Sequence, residues 1–313
     1  MKGQPRPEAI SRASAATFLS VGSTSHPFRQ KEFATPAQFR LVSDRVSFRT
    51  SDAVTIVARW IPAAQPPRGT VILAHGIGTN SSAMLRRAAW VHDIGYNALA
   101  VDLRAHGLSG GRFPSLGYQE ADDLRAAVAW AQQHGAAEPI ILFGFSYGAV
   151  ATLHAAMTAG VSGVIADAPP AGHREMMDRT IDQALRDPTV GWGIRLWLRF
   201  VRLPGATQMT KLAYHLITGV KTSPDVVDAR VAVRQIQNLP ILFIARAQDE
   251  IAVPSDVRAL YDATPSREKT LVVLDNCTHE TLGQSTDQYR EAVVRFLSTQ
   301  WHQNGNSTPK HDD

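Results

Sequence analysis

The chain has 313 residues, 44% of them apolar and 19% charged, and carries a formal charge of +4. That length suits one large α/β domain with an insertion or two small domains, and the composition excludes a disordered chain. The basic excess is scattered, with no run of five or six and no RNA-binding signature or zinc-finger spacing, so no nucleic-acid partner is expected.

The single cysteine, Cys277, rules out an internal disulfide and any Cys-x-x-Cys redox or zinc site, and it agrees with a reducing compartment. The first residues, MKGQPRPEAISRASAATFLSVGS, are broken by Pro5, Pro7, Arg12 and several serines and lack the apolar core of a secretory leader. No stretch approaches the roughly 18 uninterrupted apolar residues of a membrane span. A cytoplasmic location is therefore expected. There is no His-Glu-x-x-His pattern, and no metal is expected.

Residues 1–37 are rich in Ser, Thr, Pro and Ala without a period and are expected to form an irregular arm. From about 38 two patterns alternate. VSFRT (46–50) and VTIVARWIP (54–62) alternate as half-buried antiparallel strands do. Short apolar runs then recur at TVILAHG (70–76), NALAVDL (97–103), PIILFGF (139–145), GVIADAP (163–169), PILFIAR (240–246) and KTLVVLD (269–275), as in strands buried on both faces of a parallel sheet. Helical patterns fill the gaps at 82–95, 117–135, 146–160, 255–264 and 287–301. The alternation predicts a doubly wound α/β sheet with helices on both faces. The core is expected in two parts, 38–170 and 236–302, with a flexible tail over 303–313. Between them, 171–235 has helical patterns and no good strand. It predicts a helical cap over the carboxyl ends of the strands, where ligands bind in such sheets.

GFSYG (144–148) follows the apolar run PIILF and opens the helical pattern AVATLHAAM, the strand–Gly-x-Ser-x-Gly–helix context of a nucleophile elbow. Ser146 would sit in a strained tight turn that lifts its hydroxyl above the sheet, with Gly144 and Gly148 sparing Cβ clashes. The base is expected in NCTHE, which sets His279 just beyond a strand end late in the chain. An acid to orient the imidazole is expected at Asp249 in ARAQDEIAVP, 103 residues after Ser146 and 30 before His279. The adjacent Glu250 and the strand-ending Asp167 are contenders for the same role. For the oxyanion hole, Tyr147 would supply one backbone N–H and Ile77, in LAHGIGTN (73–80), the other. That glycine pattern lacks the third glycine of a dinucleotide site, so no nicotinamide is implied.

Taken together, HGIGTN, DLRAHGLSGG, GFSYGA, DEIAVP and the terminal THE resemble the motif series of the α/β-hydrolase superfamily over about residues 40–300, most closely the esterase, lipase and serine-aminopeptidase-like branch. The resemblance implies an eight-stranded mostly parallel sheet, a Ser-His-Asp triad of Ser146, His279 and Asp249, an oxyanion hole at Ile77 and Tyr147, and no cofactor. Asp102, Arg104 and His106 match a motif that usually buttresses the active-site loops. The chain departs from the pattern at Thr278 and Ala149, where the family often has glycine, and at ARAQDE, which replaces a commoner His-Gly or Gly-rich stretch.

In the expected cap, no acidic residue falls between Asp187 and Asp225, while Arg195, Arg199, Arg202, Lys211 and Lys221 are basic. Arg195, Arg199 and Arg202 share a helix face among Trp192, Leu196, Trp197, Phe200 and Leu203. A packed lid with solvated arginines, a weak membrane-surface contact through residues 190–203, and an acyl-pocket wall all fit this pattern. The expected partner is a small-molecule ester or acyl substrate. Hydrolysis of a carboxylic ester, acyl transfer or peptide-bond chemistry by the same triad, and a non-catalytic binding role remain the competing functions.

Overall fold

The computed structural model describes residues 30–305 except 65, 204, 206–227 and 280–285. Most of the expected arm, Lys211 and Lys221 of the expected cap, and the tail from 306 lie outside the described residues. The strands are β1 (Asp44–Arg49), β2 (Thr55–Ile61), β3 (Thr70–Ala74), β4 (Asn97–Asp102), β5 (Ile140–Phe145), β6 (Gly163–Asp167), β7 (Ile241–Arg246) and β8 (Lys269–Leu274). They form one sheet in the order β1-β2-β4-β3-β5-β6-β7-β8. β2 pairs antiparallel with β1 and β4, and every other pairing is parallel. The eight strands fall on the two alternating segments and the six apolar runs expected, and the fold is the mostly parallel, doubly wound sheet.

The continuous apolar runs arise because alternate residues serve opposite layers. Val71 and Leu73 of β3, Ile141 and Phe143 of β5, and Leu242 and Ile244 of β7 face α1 (Leu85–Asp93) and α8 (Thr286–Gly305). Ile72, Leu142, Val164 and Phe243 point the other way, to α2 (Glu120–Gln133), α3 (Tyr147–Ala156) and α7 (Pro254–Ala263). α2 starts with Glu120, Asp122 and Asp123 at its positive end and buries Leu124, Ala127, Val128 and Ala131 along one stripe. α3 is buried almost all round, as a central helix must be.

The structure differs from the expected boundaries in three places. Residues 30–39 hold a defined course: the Asn80 side-chain amide donates to the carbonyls of Gln30 and Lys31, the Phe33 N–H donates to Ser82 Oγ, and Pro36–Phe39 form a 3₁₀ turn. α8 continues to Gly305, past the expected start of the tail. Between β6 and β7 lie α4 (His173–Arg186), α5 (Trp192–Val201) and the short α6 (Ala229–Val233), the last packed in the same layer as α3 and α7. α4 is tied to the loop after β7, where Arg179 donates to the Ile251 carbonyl at 2.9 Å. α5 rests on α4 through Leu198, against Ile181 and Ala184, while Trp192, Leu196 and Phe200 stay exposed. Two of the three arginines expected in solvent are engaged: Arg195 donates to the Asp187 carbonyl, and Arg202 pairs with Asp182 at 2.7 Å. Among the described residues, no helix is long and apolar enough to cross a membrane.

Candidate active site

The chain runs from β3 out to β4 and returns to β5 on the other side of β3, so the sheet order reverses there. A crevice forms above such a switch point, at the carboxyl ends of the strands. The loop 75–79 leaves β3 at this place and Ser146 leaves β5 beside it.

Ser146 has φ +54° and ψ −122°, a conformation that side chains rarely adopt. The glycines on either side are dictated by space. A Cβ on Gly144 would stand 2.2 Å from the Gly148 carbonyl oxygen, and one on Gly148 2.4 Å from the carbonyl oxygens of Ala74 and His75. The Ser146 N–H is held by the Asp167 carbonyl at 2.8 Å, and the Ser146 side chain is buried.

His279, after β8, brings Nε2 to 2.9 Å from Ser146 Oγ and Nδ1 to 2.7 Å from Asp249 Oδ2. Asp249 is itself fixed, because its other oxygen accepts the N–H groups of Ile251 and Ala252 at 2.9 and 2.8 Å. A carboxylate only accepts, so Nδ1 carries the imidazole proton and Nε2 is left as an acceptor facing the serine hydroxyl. The three residues, distant in sequence, form one continuous chain of hydrogen bonds. The other contenders for the acid stand elsewhere: Glu250 is exposed, and the Asp167 carboxylate turns into the protein, away from the imidazole.

Tyr147 and Met176 of α4 belong to one buried cluster, the Tyr147 hydroxyl 4.0 Å from the Met176 sulfur, and the partly buried Ile77 packs against the same cluster. A Cβ on Gly76 would lie 3.3 Å from Ser146 Cβ, which shows how closely the loop approaches the serine. Two buried histidines hold that loop. His75 Nε2 accepts the Leu103 N–H at 3.1 Å, and its Nδ1 lies 2.7 Å from the Gly76 carbonyl. His106 Nε2 accepts the Gly78 N–H at 3.1 Å, and its Nδ1 lies 2.8 Å from the Arg104 carbonyl. Each ring thus needs one protonated and one bare nitrogen, the neutral form. Burial, reinforced by the neighbouring His106, pushes His75 down to about 3, and burial lowers His106 as well. The flanking residues extend the frame. Asp102 accepts the N–H groups of Ser81 and Leu108, and Arg104 pairs with Asp123 and Asp52. His75 was not singled out by the sequence reasoning; its place just before the expected donor loop was the only signal.

A second polar cluster lies directly beneath. The Asp167 carboxylate, fully buried, accepts from Arg246 at 2.8 and 3.0 Å, from Arg87 at 2.9 Å and from the Tyr289 hydroxyl at 2.6 Å. Burial opposes its ionisation, but Arg246 and Arg87 outweigh that and hold the carboxyl below its ordinary value. Among the described residues, no group of three or more His, Cys, Asp or Glu side chains is gathered as a metal site requires.

Comparison with known proteins agrees with this architecture. The chain is 29% identical over 233 residues to the uncharacterized protein YqkD of Bacillus subtilis, covering 73% of this chain and 70% of that one. It is 25% identical over 291 residues to a polyketide transferase of Aspergillus fumigatus, covering 80% and 96%. Among solved structures, an esterase of Pyrococcus furiosus superposes with a TM-score of 0.69 at 22% identity, over 88% of this chain and 98% of that one, a likeness of fold. The model of the alpha/beta hydrolase family matches residues 71–296, most of the chain, and the protein belongs to that family.

Proposed function

We propose that the protein is a serine hydrolase that cleaves a carboxylic ester, or a related acyl bond in a small molecule, through an acyl-enzyme. The observation that carries this reading is the pair of hydrogen bonds, 2.7 and 2.9 Å, joining Asp249, His279 and Ser146. His279 Nε2 takes the Ser146 proton as Oγ attacks the carbonyl carbon, and Asp249 stabilises the imidazolium that forms. The negative charge on the former carbonyl oxygen is received by the backbone N–H groups of Ile77 and Tyr147. His279 then returns its proton to the leaving alcohol. Water, deprotonated by the same nitrogen, attacks the acyl carbon and releases the acid, regenerating Ser146.

The 25% identity to a polyketide transferase favours a second reading, in which the acyl group passes to another acceptor. The two share every step up to the acyl-enzyme. The helices between β6 and β7 are proposed as the cap that selects between them, since Met176 of α4 packs in one cluster with Tyr147.

Intact-mass analysis after fluorophosphonate treatment tests the reading, with p-nitrophenyl esters from acetate to palmitate as substrates. One adduct on the wild type, none on Ser146→Ala, and turnover of at least one chain length are expected. Turnover by Ser146→Ala at the wild-type rate would exclude the mechanism. Adding an alcohol or amine separates the two readings: a transferase forms the new ester or amide ahead of the free acid.

A further inference from the structure

Arg246 ends β7 with a long cationic side chain that is only 1% exposed. A strand-end position facing solvent would suit an arginine; burial requires a task that offsets the loss of hydration. Its Nη2 grips both oxygens of Asp167, while its Nη1 donates to the main-chain carbonyl of His279 at 2.6 Å and to that of Thr278 at 3.3 Å. One side chain thus joins the end of β6 to the residue that supplies the imidazole. The same Asp167 accepts the Ser146 N–H through its main-chain oxygen at 2.8 Å, so the tie reaches the nucleophile as well. A second path runs through Phe145, the residue before the serine. The Arg246 guanidinium lies 4.7 Å from the centre of that ring, Arg87 stands 5.1 Å from it, and the His279 imidazole lies 5.1 Å from it.

We propose that Arg246 is a positioning residue for the proposed acyl-transfer chemistry: it fixes the main chain of His279 relative to Ser146, so that the imidazole stays within hydrogen-bond reach of the hydroxyl. The proposal rests on the serine-hydrolase reading above. Asp249 orients the ring through Nδ1, and Arg246 fixes the backbone that carries the ring. The planar guanidinium suits this because it can meet a carboxylate and two carbonyls at once, which the single ammonium of lysine cannot. The bond from Arg246 reaches residue 279, 33 positions later, and so ties the end of β7 to the loop after β8. Thr278, rather than glycine, precedes the histidine, and its carbonyl is one of the two that Arg246 receives.

The test compares wild type, Arg246→Met, Arg246→Lys and, as a buried control far from the site, Tyr96→Phe. Tyr96, just before the start of β4 and so at the amino ends of the strands, donates its hydroxyl to the Leu297 carbonyl, so its loss weakens the fold alone. For each, the thermal midpoint, the kcat and KM for a p-nitrophenyl ester and the limiting rate of fluorophosphonate labelling are measured. Arg246→Met leaves Asp167 with Arg87 and Tyr289, so a folded protein is expected. A drift of the imidazole by about 1 Å costs on the order of 10- to 100-fold. Such a loss is expected in kcat and labelling rate, with KM within about threefold, partial recovery in Arg246→Lys, and kcat unchanged in Tyr96→Phe despite its lower midpoint. A folded Arg246→Met with wild-type kcat, or a loss confined to KM, overturns the proposal. If Arg246→Met does not fold, Arg246→Lys decides: a several-fold loss of kcat supports the role and wild-type kcat refutes it. A wild type that neither labels nor turns over ester removes the hydrolase reading itself, a result distinct from any of these.

Discussion

Replacing Asp249 by Asn changes one atom type and reverses the logic of the proposed relay. Oδ1 of Asp249 already accepts two backbone N–H groups, at 2.9 and 2.8 Å, so the amide oxygen of an asparagine must stay there. Its NH2 group then faces His279 Nδ1, across the 2.7 Å now spanned by N–H and carboxylate. Two donors cannot share that contact, so the imidazole proton moves to Nε2, which faces Ser146 Oγ 2.9 Å away. The nitrogen that should take the serine proton then already carries one. The loss of kcat for this tautomer change is on the order of 10³- to 10⁴-fold, or about 4–5.5 kcal/mol at 1.36 kcal/mol per factor of ten. Turnover of p-nitrophenyl acetate at pH 7 measures it, with denaturant unfolding to show that the fold is retained. Glu250→Gln, at an exposed position, should stay within about twofold of wild type. Retention of more than a tenth of wild-type activity by Asp249→Asn would refute this assignment of the acid.

Two further outcomes follow from the geometry around the elbow. Gly148→Ala would place a methyl 2.4 Å from two main-chain oxygens at the end of β3, and neither that strand nor α3 can yield, so a loss of about 3 kcal/mol or more is expected, read as a lower unfolding midpoint. His75 is held neutral, with its folded value near 3 below the ordinary 6.5, so its stabilising contribution is complete above pH 6.5 and is lost as the pH falls toward 3. Relative to His75→Gln, which does not titrate there, the wild type should lose about 2 kcal/mol between pH 6.5 and 5. Urea titrations of both proteins at the two pH values check this, and a gap that does not narrow with acid would refute it.

Much of the sheet was legible because strand burial on two faces leaves a plain trace. Ile72 and Leu73 are both apolar since one faces α2 and the other α1. The elbow was legible for a steric reason: only glycine fits at 144 and 148. Other features depend on contacts far along the chain. Residues 30–39 look irregular in sequence, and their course is set by Asn80 and Ser82, about 50 positions away. Asp167 looks like a contender for the acid because it ends a strand. The way its carboxylate points depends on Arg87 and Arg246, which no local pattern links to it. Arg246 itself looks like an ordinary charged strand terminus, and ARAQDE appeared only as a departure from the family pattern. The exposed apolar face of α5 was visible as composition, but periodicity could not tell which side meets α4 through Leu198.

The strand order has a consequence for synthesis. The proposed nucleophile belongs to β5 in the middle of the sheet, while the acid and base follow β7 and β8, the last two strands made and the outermost on that side. As the chain leaves the ribosome, the elbow and the donor loop after β3 can assemble well before residue 279 exists. A nascent chain therefore carries Ser146 without its proposed base. On the proposed mechanism the proton relay forms only when β8 docks along the exposed edge of β7, so the proposed reactivity toward acyl groups would arrive with the completion of the fold and not before.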